Sequence, residues 1–553
     1  MIANRDRSQL HLDHYLISTL YSSWVEGEHE REGVFELFFR KNPFKGEYTI
    51  FLGLANVMDY LENFKIDQET IKQFKSIKQF SEFQEKFWDY LMNLSTSSLK
   101  VYAMKEGTIC FPHEPLMQVI GPLSLANLVG TAFLCLTSYP SLVATNATRF
   151  RLAADAINLP ECKLFEFGLR RAQGPGAALI ASISAYIGGF DATSNLDAHE
   201  KFGIPTCGTT DHTSILVGVA NRQQLSKTST SDHKFLLNKK TDQEENFTLK
   251  CLEIEEDFVK RIVTRKRTIE EDHKLRRRSE LRSFIKVAIT NKSSFAALVD
   301  TYDVIVSGLV NYCIVALALH HFGYCPLGIR IDSGDSAYLS RCAKSLFKEV
   351  AEEYEFNELV SSQIIVSNEI SIKVILSLLG QKHAITGFGI GTNLVTCGKQ
   401  PTLGTVYKMV EIQGIPCQKS TTGTLGSGKS MITCRKSVYR LYSDDNQALV
   451  DLMIGNGEQA PKAGHPVLCK HPFDPNQQCV IKPNRVEPLL HLWWDGKLIK
   501  KMQSIEEIRT NCLNSLTHLR EDIKRFMNPT PYKVSVSDEL LKKLNTLKSN
   551  TQN

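Results

Sequence analysis

The chain lacks the features that would assign it to several large classes of protein. Its 14 cysteines include no C-x-x-C pair, so the sequence predicts neither a zinc site nor a disulfide framework, and reduced thiols fit best. A net charge of +5 over 553 residues is too small to indicate nucleic-acid binding. No apolar segment follows the charges of the first residues, so we expect a cytoplasmic protein without a signal peptide.

One uncharged segment, residues 115–147, is long enough to span a bilayer. Prolines interrupt it, and polar side chains such as Gln118 and Asn127 lie along it. These residues disfavour a membrane span. We expect instead a buried helix between Leu123 and Leu136, in a protein that does not enter the membrane.

Composition divides the chain into three regions. Residues 1–147 mix helical stretches with short aromatic strands and predict an N-terminal α+β domain. In residues 148–408, apolar segments that end in Gly, Ser or Asp alternate with helical stretches, which predicts parallel βα units. Residues 409–553 are predicted to be β-rich and then helical. A charged stretch, 222–292, interrupts the middle region, and its alternating basic and acidic clusters predict a solvated helical insertion.

Residues 423–430 fit the P-loop pattern G-x-x-x-x-G-K-[ST]. A working P-loop follows a buried strand and begins a helix, so that backbone N–H groups face the phosphates. Here a polar stretch precedes the motif, and β-branched and aromatic residues follow it. We therefore predict a surface loop between strands. A P-loop ATPase stays an alternative, which the variant Lys429→Ala would test.

The most informative segment is 328–335. Apolar residues alternate with Arg330 and Asp332, so a strand would place the guanidinium and the carboxylate on one face. The strand would end at the turn of Ser333 and Gly334, before a helix. An α/β barrel presents its catalytic groups at the carboxyl ends of its strands. We therefore favour a catalytic role over a structural ion pair.

Two segments further towards the N-terminus carry side chains suited to an anionic aromatic substrate. Phe167 offers a ring for stacking, and Arg170 and Arg171 offer guanidinium groups for a carboxylate. Ser194 lies in a turn-rich stretch whose hydroxyl and amide groups either donate to a substrate or close a βα turn. Each signal is weak when taken alone.

Two other segments also follow apparent strands. His212 comes after one of them, although a lone histidine is more often structural than catalytic. Gly391 and Thr392 end a stretch with alternating glycines, which would let the backbone approach a phosphate or would form a tight turn. The succession of all these groups at strand ends favours one common site.

This ordered set resembles nicotinate phosphoribosyltransferase, a family of type II phosphoribosyltransferases. The resemblance implies an irregular α/β barrel and a second α+β domain built from both ends of the chain. It also implies a homodimer with active sites at its interface. The reaction would join nicotinate to 5-phosphoribosyl 1-diphosphate, with coupled ATP hydrolysis and Mg²⁺, and give nicotinate mononucleotide and diphosphate. The matching segments are 13–15, 38–44, 111–115, 141–146, 166–175, 189–195, 299–303, 330–335, 389–392 and 438–442.

The resemblance also implies roles for single residues. It implies that Tyr15 of the partner subunit and Phe167 sandwich the pyridine ring. His212 matches the histidine that ATP phosphorylates, and Asp332 would stabilise the charge that develops on the ribose. No metal ligands are assigned. The remaining residues implied to bind nicotinate are Arg171, Thr209 and Arg330, and those implied to bind 5-phosphoribosyl 1-diphosphate are Arg170, Ser194, Ser333, Gly334, Gly391 and Thr392.

Two alternatives stay open within this resemblance. A nicotinamide phosphoribosyltransferase would share the architecture, but the neutral groups near Ser194 and the extra cation of Arg171 favour an anionic substrate. A catalytically silent homologue would use residues 222–292 to bind a partner. Asp211, which precedes the histidine, either raises the basicity of the imidazole or caps a helix.

Overall fold

The computed structural model describes residues 12–156, 162–220, 234–263, 276–417, 431–474 and 476–550. The P-loop-like segment 423–430 lies outside the described residues, and so do 221–233 and 264–275 of the predicted insertion. The chain divides into two compact units. The first consists of Met1–Thr148, Gln173–Gly189 and Thr396–Asn553, and the second of Arg149–Ala172 and Phe190–Val395.

These units differ from the predicted regions mainly at one internal segment and at the C-terminal end of the predicted barrel. Gln173–Gly189 lies within the predicted barrel region but belongs to the first unit, as do residues 396–408. The helix Pro175–Ile187 of this segment contacts the helix Ile505–Thr517, where the Tyr186 hydroxyl donates a 2.7 Å hydrogen bond to Glu506. No local sequence pattern reveals a contact between segments so far apart.

The first unit contains two six-stranded sheets. In one of them, Glu32–Phe39 pairs with Thr405–Ile412 and Lys100–Ala103 pairs with His491–Asp495, so strands from both ends of the chain share a sheet. The other strands of this sheet are Met117–Pro122 and Ile415–Pro416. The strands of the second sheet are Lys436–Tyr442, Ala448–Gly455, Val467–Lys470, Gln478–Ile481, Arg485–Pro488 and Val534–Val536. A separate two-stranded sheet pairs Thr49–Ile50 with Ile109–Cys110. The helices are His14–Val25, Leu54–Glu62, Gln68–Ser76, Glu85–Met92, Leu123–Leu128, Gly130–Ala156, Pro175–Ile187, Ile505–Thr517 and Asp538–Asn550.

The uncharged segment is helical, as expected, but its helices are longer than predicted. Leu123–Leu128 is followed by Gly130–Ala156, which continues through Pro140 to well beyond Leu136. Two stretches, Leu123–Ala156 and Val304–His321, are long and apolar enough to cross a membrane. Their most apolar windows are 67% and 83% buried inside the protein, which is the burial expected of core helices.

The second unit is built on a parallel sheet of six strands. Their order across the sheet is Ala296–Leu298, Gly328–Ile331, Gln363–Val366, Gly387–Ile390, Lys163–Glu166 and Ala192–Thr193. The segment 205–210 lies between the two outer strands: Thr206 bridges to Thr193, and Thr210 Oγ1 accepts a 3.2 Å hydrogen bond from Leu298 N. The predicted irregular α/β barrel is therefore confirmed.

Helices follow most of these strands. The described part of the predicted insertion contains helices and a hairpin, and Phe247–Phe258 and Arg278–Thr290 are solvated on one side only, because they bury apolar side chains such as Phe258 and Phe284. The other helices of this unit are Leu196–Phe202, His212–Ala220, the π-helices Val259–Val263 and Val304–Gly308, Leu309–His321, Ser336–Glu353, Ile372–Ser377 and Thr392–Val395, and a hairpin joins Phe235–Asn238 to Gln243–Asn246.

Candidate functional site

The carboxyl ends of the parallel strands gather most of the predicted site residues at one edge of the second unit. Because all six strands run in the same direction, the residue that follows each strand lies at this edge. The residues that follow the strands or lie in the adjoining 205–212 segment are Phe167, Ser194, Thr209, His212, Asp300, Asp332, Ser367 and Gly391.

Arg330 lies near the end of its strand with part of its guanidinium unpaired. One terminal nitrogen donates to the Thr210 carbonyl at 3.2 Å, while Nε is buried without a hydrogen-bond partner among the described residues. Burial raises the pKa of the Cys207 thiol to about 11, and the nearby Arg330 charge opposes that rise. A buried N–H without an acceptor is costly, so this guanidinium is suited to an anionic ligand.

Asp332 and Asp300 are held together at the ends of adjacent strands. Asp300 Oδ2 accepts hydrogen bonds from Asp332 N at 3.2 Å and from Ser333 Oγ at 2.6 Å. Asp332 Oδ1 accepts a hydrogen bond from Ser367 Oγ, which fixes the catalytic candidate from its other side. Asp300 Oδ1 is buried without a partner among the described residues. That oxygen is free to accept a ligand.

His212 is the first residue of the helix His212–Ala220. Its Nδ1 lies 3.1 Å from Thr301 Oγ1, so the imidazole is held beside the loop that carries Asp300. Asp211 accepts hydrogen bonds from the hydroxyl and the backbone N–H of Ser214, and these bonds lower the pKa of its carboxyl group. Of the two roles considered for Asp211, the geometry supports the helix cap.

Phe167 is half-buried and packed against glycine. Its ring is parallel to that of Phe165, with an angle of 14° and 6.2 Å between centroids. A Cβ atom on Gly389 would lie 2.5 Å from two carbons of the Phe167 ring. Glycine at position 389 is therefore what allows the ring to take its place above the strand ends.

A buried carboxylate organises the turn beside Phe167. Glu166, which is 1% exposed, accepts hydrogen bonds from Gly168 N and from Thr193 Oγ1, the latter at 2.5 Å. Its carbonyl accepts a 2.9 Å hydrogen bond from Ser194 N, so the ends of two neighbouring strands are joined. Ser194 is thereby held at the edge where Phe167 lies.

The remaining predicted residues fall into two groups. Ser333 and Gly334 lie in a turn and Thr392 begins a short helix at the same strand ends, and Thr209 Oγ1 donates to the Thr210 carbonyl at 3.2 Å. Arg170 and Arg171 are exposed and form no ion pair with a residue that the structure describes. Tyr15 belongs to the first unit, where its side chain is 58% exposed, so its predicted contact with the pyridine ring stays a prediction.

Sequence reasoning missed several residues that shape this site. Asp300, Thr301 and Ser367 each hold a predicted catalytic residue, and Gly389 makes room for Phe167. The position of Asp300 directly after the apolar run 295–299 is the signal that would have identified it. Within the described residues, no group of three or more His, Cys, Asp or Glu side chains is arranged to hold a metal ion.

Comparisons with known proteins agree along the whole chain. Three family models match: the nicotinate phosphoribosyltransferase N-terminal domain over residues 10–138, the nicotinate phosphoribosyltransferase family over 271–439, and the C-terminal domain over 435–544. The chain is 42% identical to nicotinate phosphoribosyltransferase 2 of Arabidopsis thaliana, with 96% of this chain and 92% of that protein covered. It is 41% identical to the nicotinate phosphoribosyltransferase of Caenorhabditis elegans, with 97% and 92% covered.

A solved structure gives the same result. The crystal structure of human nicotinic acid phosphoribosyltransferase superimposes with a TM-score of 0.83 at 31% identity, covering 97% of this chain and 99% of that one. Identities of this size over nearly complete chains establish common descent and a common fold. The chain therefore belongs to the nicotinate phosphoribosyltransferase family.

Proposed function

We propose that the protein joins nicotinate to 5-phosphoribosyl 1-diphosphate and gives nicotinate mononucleotide and diphosphate, with ATP hydrolysis coupled to the transfer. In this reaction the bond between ribose C1 and diphosphate breaks, and a bond between C1 and the pyridine nitrogen forms. The site must therefore hold an anionic ring, a sugar phosphate and a departing diphosphate. The reaction is a step of NAD salvage.

The observation that carries the proposal is the partly unpaired guanidinium of Arg330 together with the ring of Phe167, both at the carboxyl ends of strands of one parallel sheet. A buried Nε–H without an acceptor and a half-buried aromatic ring match the carboxylate and the pyridine ring of nicotinate. Nicotinamide would leave the guanidinium charge without an anion, so we favour nicotinate over its amide.

Asp332 suits the stabilisation of charge on the ribose. When the anomeric bond breaks, positive charge builds on the sugar and negative charge on diphosphate. Asp332 is oriented by Ser367 and by the hydrogen bond from its own N–H to Asp300, so its carboxylate needs little reorganisation during the step. We infer that it faces the ribose directly or through a hydroxyl group.

The residues present also fit a magnesium ion. Mg²⁺ is usually held by one or two carboxylates together with substrate phosphates and water, and Asp300 offers a buried oxygen without a described partner beside Asp332. When bound, the ion would supply positive charge that neutralises the diphosphate leaving group. Asp300 and Asp332 are the residues that we propose to hold it.

His212 is our candidate for phosphorylation by ATP. If Thr301 Oγ1 accepts a hydrogen bond from Nδ1–H across their 3.1 Å contact, the lone pair of Nε2 is free to attack the γ-phosphorus. The bond from that phosphorus to the β,γ-bridging oxygen then breaks, and ADP leaves. The phosphohistidine would carry about two negative charges at neutral pH, by analogy with other phosphorylated side chains. That charge would then act on the contacts of Mg²⁺ and diphosphate.

The other roles follow from the family resemblance. We propose that the partner's Tyr15 completes the ring sandwich in a cytoplasmic homodimer, and that Arg171 and Thr209 assist Arg330 at nicotinate. The groups proposed for 5-phosphoribosyl 1-diphosphate are Arg170, Ser194, Ser333, Gly334, Gly391 and Thr392.

The experiment that tests the proposal measures nicotinate mononucleotide formation with and without ATP, and with nicotinamide in place of nicotinate. We expect turnover of nicotinate, stimulation by ATP and little turnover of nicotinamide. His212→Ala should keep some transfer but lose the stimulation. Unchanged ATP dependence in that variant would refute the role of His212, and no diphosphate release from any substrate would indicate a catalytically silent homologue.

A further inference from the structure

The helix Arg278–Thr290 lies in the charged region 222–292, for which the proposed reaction has no role. Two of its buried polar side chains, Glu280 and Ser283, point in different directions. Glu280 is 0% exposed and Ser283 is 2% exposed. Buried polar groups of this kind require partners. A partner of Ser283 lies on the helix of His212, and the partners of Glu280 lie on the π-helix Val304–Gly308 and on the helix that follows it.

Glu280 is hydrogen-bonded to the π-helix Val304–Gly308 and to the start of the helix Leu309–His321. Its Oε2 accepts hydrogen bonds from Ser307 Oγ at 2.6 Å and from Asn311 Nδ2 at 2.9 Å. Ser307 Oγ also accepts a 3.0 Å hydrogen bond from Arg277 N. The π-helix Val304–Gly308, which contains Ser307, is thus fixed to the helix that carries Glu280. π-Helical turns of this kind are frequent at functional sites.

The same π-helix is in tight contact with the loop of the candidate site. A Cβ atom on Gly308 would collide with the carbonyl group of Val299, so the two backbones touch. Val299 is followed directly by Asp300 and Thr301. Movement of the π-helix would therefore move Thr301, the hydrogen-bond partner of His212.

Ser283 holds the helix of His212 itself. Its hydroxyl donates a 3.0 Å hydrogen bond to the carbonyl oxygen of Ile215, in the first turn of His212–Ala220. Ile215 is 1% exposed, so this contact lies in the core. One helix therefore supports both partners of the contact between His212 and Thr301: Ser283 bonds to the helix of His212, and Glu280 bonds to the π-helix that contacts the backbone next to Thr301.

We propose that Glu280 and Ser283 are positioning residues for the ATP-coupled step, which hold His212 against Thr301 so that Nε2 faces the γ-phosphate. The inference rests on the proposed phosphorylation of His212. Neither side chain touches a substrate in this account, and both act through the two segments that they fix. Small displacements of reacting groups reduce rates strongly, so loss of this support should slow phosphorylation more than transfer.

The test compares Glu280→Ala, Glu280→Gln and Ser283→Ala with a matched control, Ser340→Ala. Ser340 is 0% exposed on the helix Ser336–Glu353, and its hydroxyl donates to the Ala337 carbonyl at 2.9 Å and accepts from Ala384 N at 3.1 Å. The full-length variants are assayed for phosphohistidine formation from γ-labelled ATP and for nicotinate mononucleotide formation with and without ATP. Thermal unfolding of each variant identifies a temperature at which all are folded.

We expect Glu280→Ala to slow phosphohistidine formation about ten-fold or more, with ATP-independent transfer changed about two-fold. Glu280→Gln keeps an acceptor oxygen for Ser307 and should restore part of the rate. Ser283→Ala should have a smaller effect of the same kind, and Ser340→Ala should lower thermal stability without changing the ratio of ATP-stimulated to unstimulated turnover.

Three results would overturn the inference, and they are distinguishable. If the unaltered protein forms no phosphohistidine, the proposed role of His212 fails and the inference fails with it. If the unaltered protein is phosphorylated but Glu280→Ala and Ser340→Ala retain equal rates, only the positioning role is wrong. An equal loss of both activities in Glu280→Ala and Glu280→Gln would likewise show a general structural role.

Discussion

Two sites of the chain, one in each unit, bury charge in different ways. In the first unit, Arg440 donates to both carboxylate oxygens of Asp451, at 2.8 and 2.6 Å. The same guanidinium donates to the Ile109 carbonyl at 2.7 Å, and the Tyr532 hydroxyl donates to Asp451 at 3.0 Å. Protein groups thus satisfy both charges of this pair. A complete cluster of this kind stabilises a fold and has no evident use for a ligand.

In the second unit, charged groups at the strand ends are only partly satisfied. Arg330 has one protein acceptor, the Thr210 carbonyl, and an Nε without a described partner. Asp300 has two donors on one oxygen and none among the described residues on the other. Burial and charge alone do not distinguish these two sites; the unpaired atoms of Arg330 and Asp300 do, together with their position at the carboxyl ends of the parallel strands.

The largest effect is expected from Arg330→Met. Loss of the guanidinium should lower kcat/KM for nicotinate about 10³-fold, because a carboxylate would then be bound without a cation. The free energy of unfolding should change little, since Arg330 makes only one hydrogen bond within the described protein. Arg330→Lys serves as the control and should recover little, because an ammonium group does not reproduce the guanidinium fork. Normal turnover by either variant would contradict the assignment.

Arg440→Met should lower the free energy of unfolding strongly and affect kcat/KM little, which is the opposite of the result expected for Arg330→Met. Removing one partner of a buried pair leaves the Asp451 carboxylate uncompensated and should cost about 3–5 kcal/mol of unfolding free energy. The double variant Arg440→Met with Asp451→Leu should recover much of that loss, which urea denaturation would measure. If kcat/KM at a temperature where the variant is folded falls as strongly as for Arg330→Met, the comparison between the two arginines is wrong.

Glu280 adds a dependence of stability on pH. Burial raises the pKa of the Glu280 carboxyl group to about 7, and the negative charge of the nearby Asp300 adds to this rise. The hydrogen bonds from Ser307 and Asn311 and the positive charge of Arg276 oppose the rise. Because the folded-state pKa lies above the unfolded value, the folded state binds the proton more tightly. The resulting stabilisation is complete below about pH 4.5 and is lost as the pH rises through about 7.

Glu280→Gln should therefore flatten the stability curve between about pH 5 and pH 8, by about 3 kcal/mol at most. Urea denaturation of the unaltered protein and of the variant at each pH would measure this difference. Parallel curves would show that Glu280 does not titrate in this interval.

Local patterns predicted the part of the site that depends on one strand. Arg330 and Asp332 alternate with Ile329 and Ile331, and the period of two in a strand is sufficient to place both on one face. Asp300 and Ser367 escaped notice because their roles depend on which strands are neighbours. The order of strands in a parallel sheet results from packing of the whole unit, which no single segment encodes.

The charged insertion shows a second limit of prediction from local sequence patterns. Its density of charge predicted a solvated surface, but Arg276 and Arg278 pair with Glu255, some twenty residues away in sequence. Pairing allows these helices to bury their apolar faces, and Glu280 becomes part of the core. By contrast, Asp211 and Ser214 are three residues apart at the start of a helix. Because this pattern is local, the cap could be predicted from the sequence as one of two alternatives.

Gly389→Ala is expected to have the smallest effect and tests the shape of the site rather than its charge. The added Cβ would meet the Phe167 ring at 2.5 Å, so the ring must shift, and overpacking of this kind costs about 1–3 kcal/mol. KM for nicotinate should rise about ten-fold while kcat changes less, because stacking is weakened and the charged groups stay in place. Gly380→Ala is the control, since an added Cβ there meets nothing within 4 Å. Equal KM values for the two variants would show that Phe167 does not contact the substrate, and binding would then depend on the charged groups, above all Arg330 and Asp300.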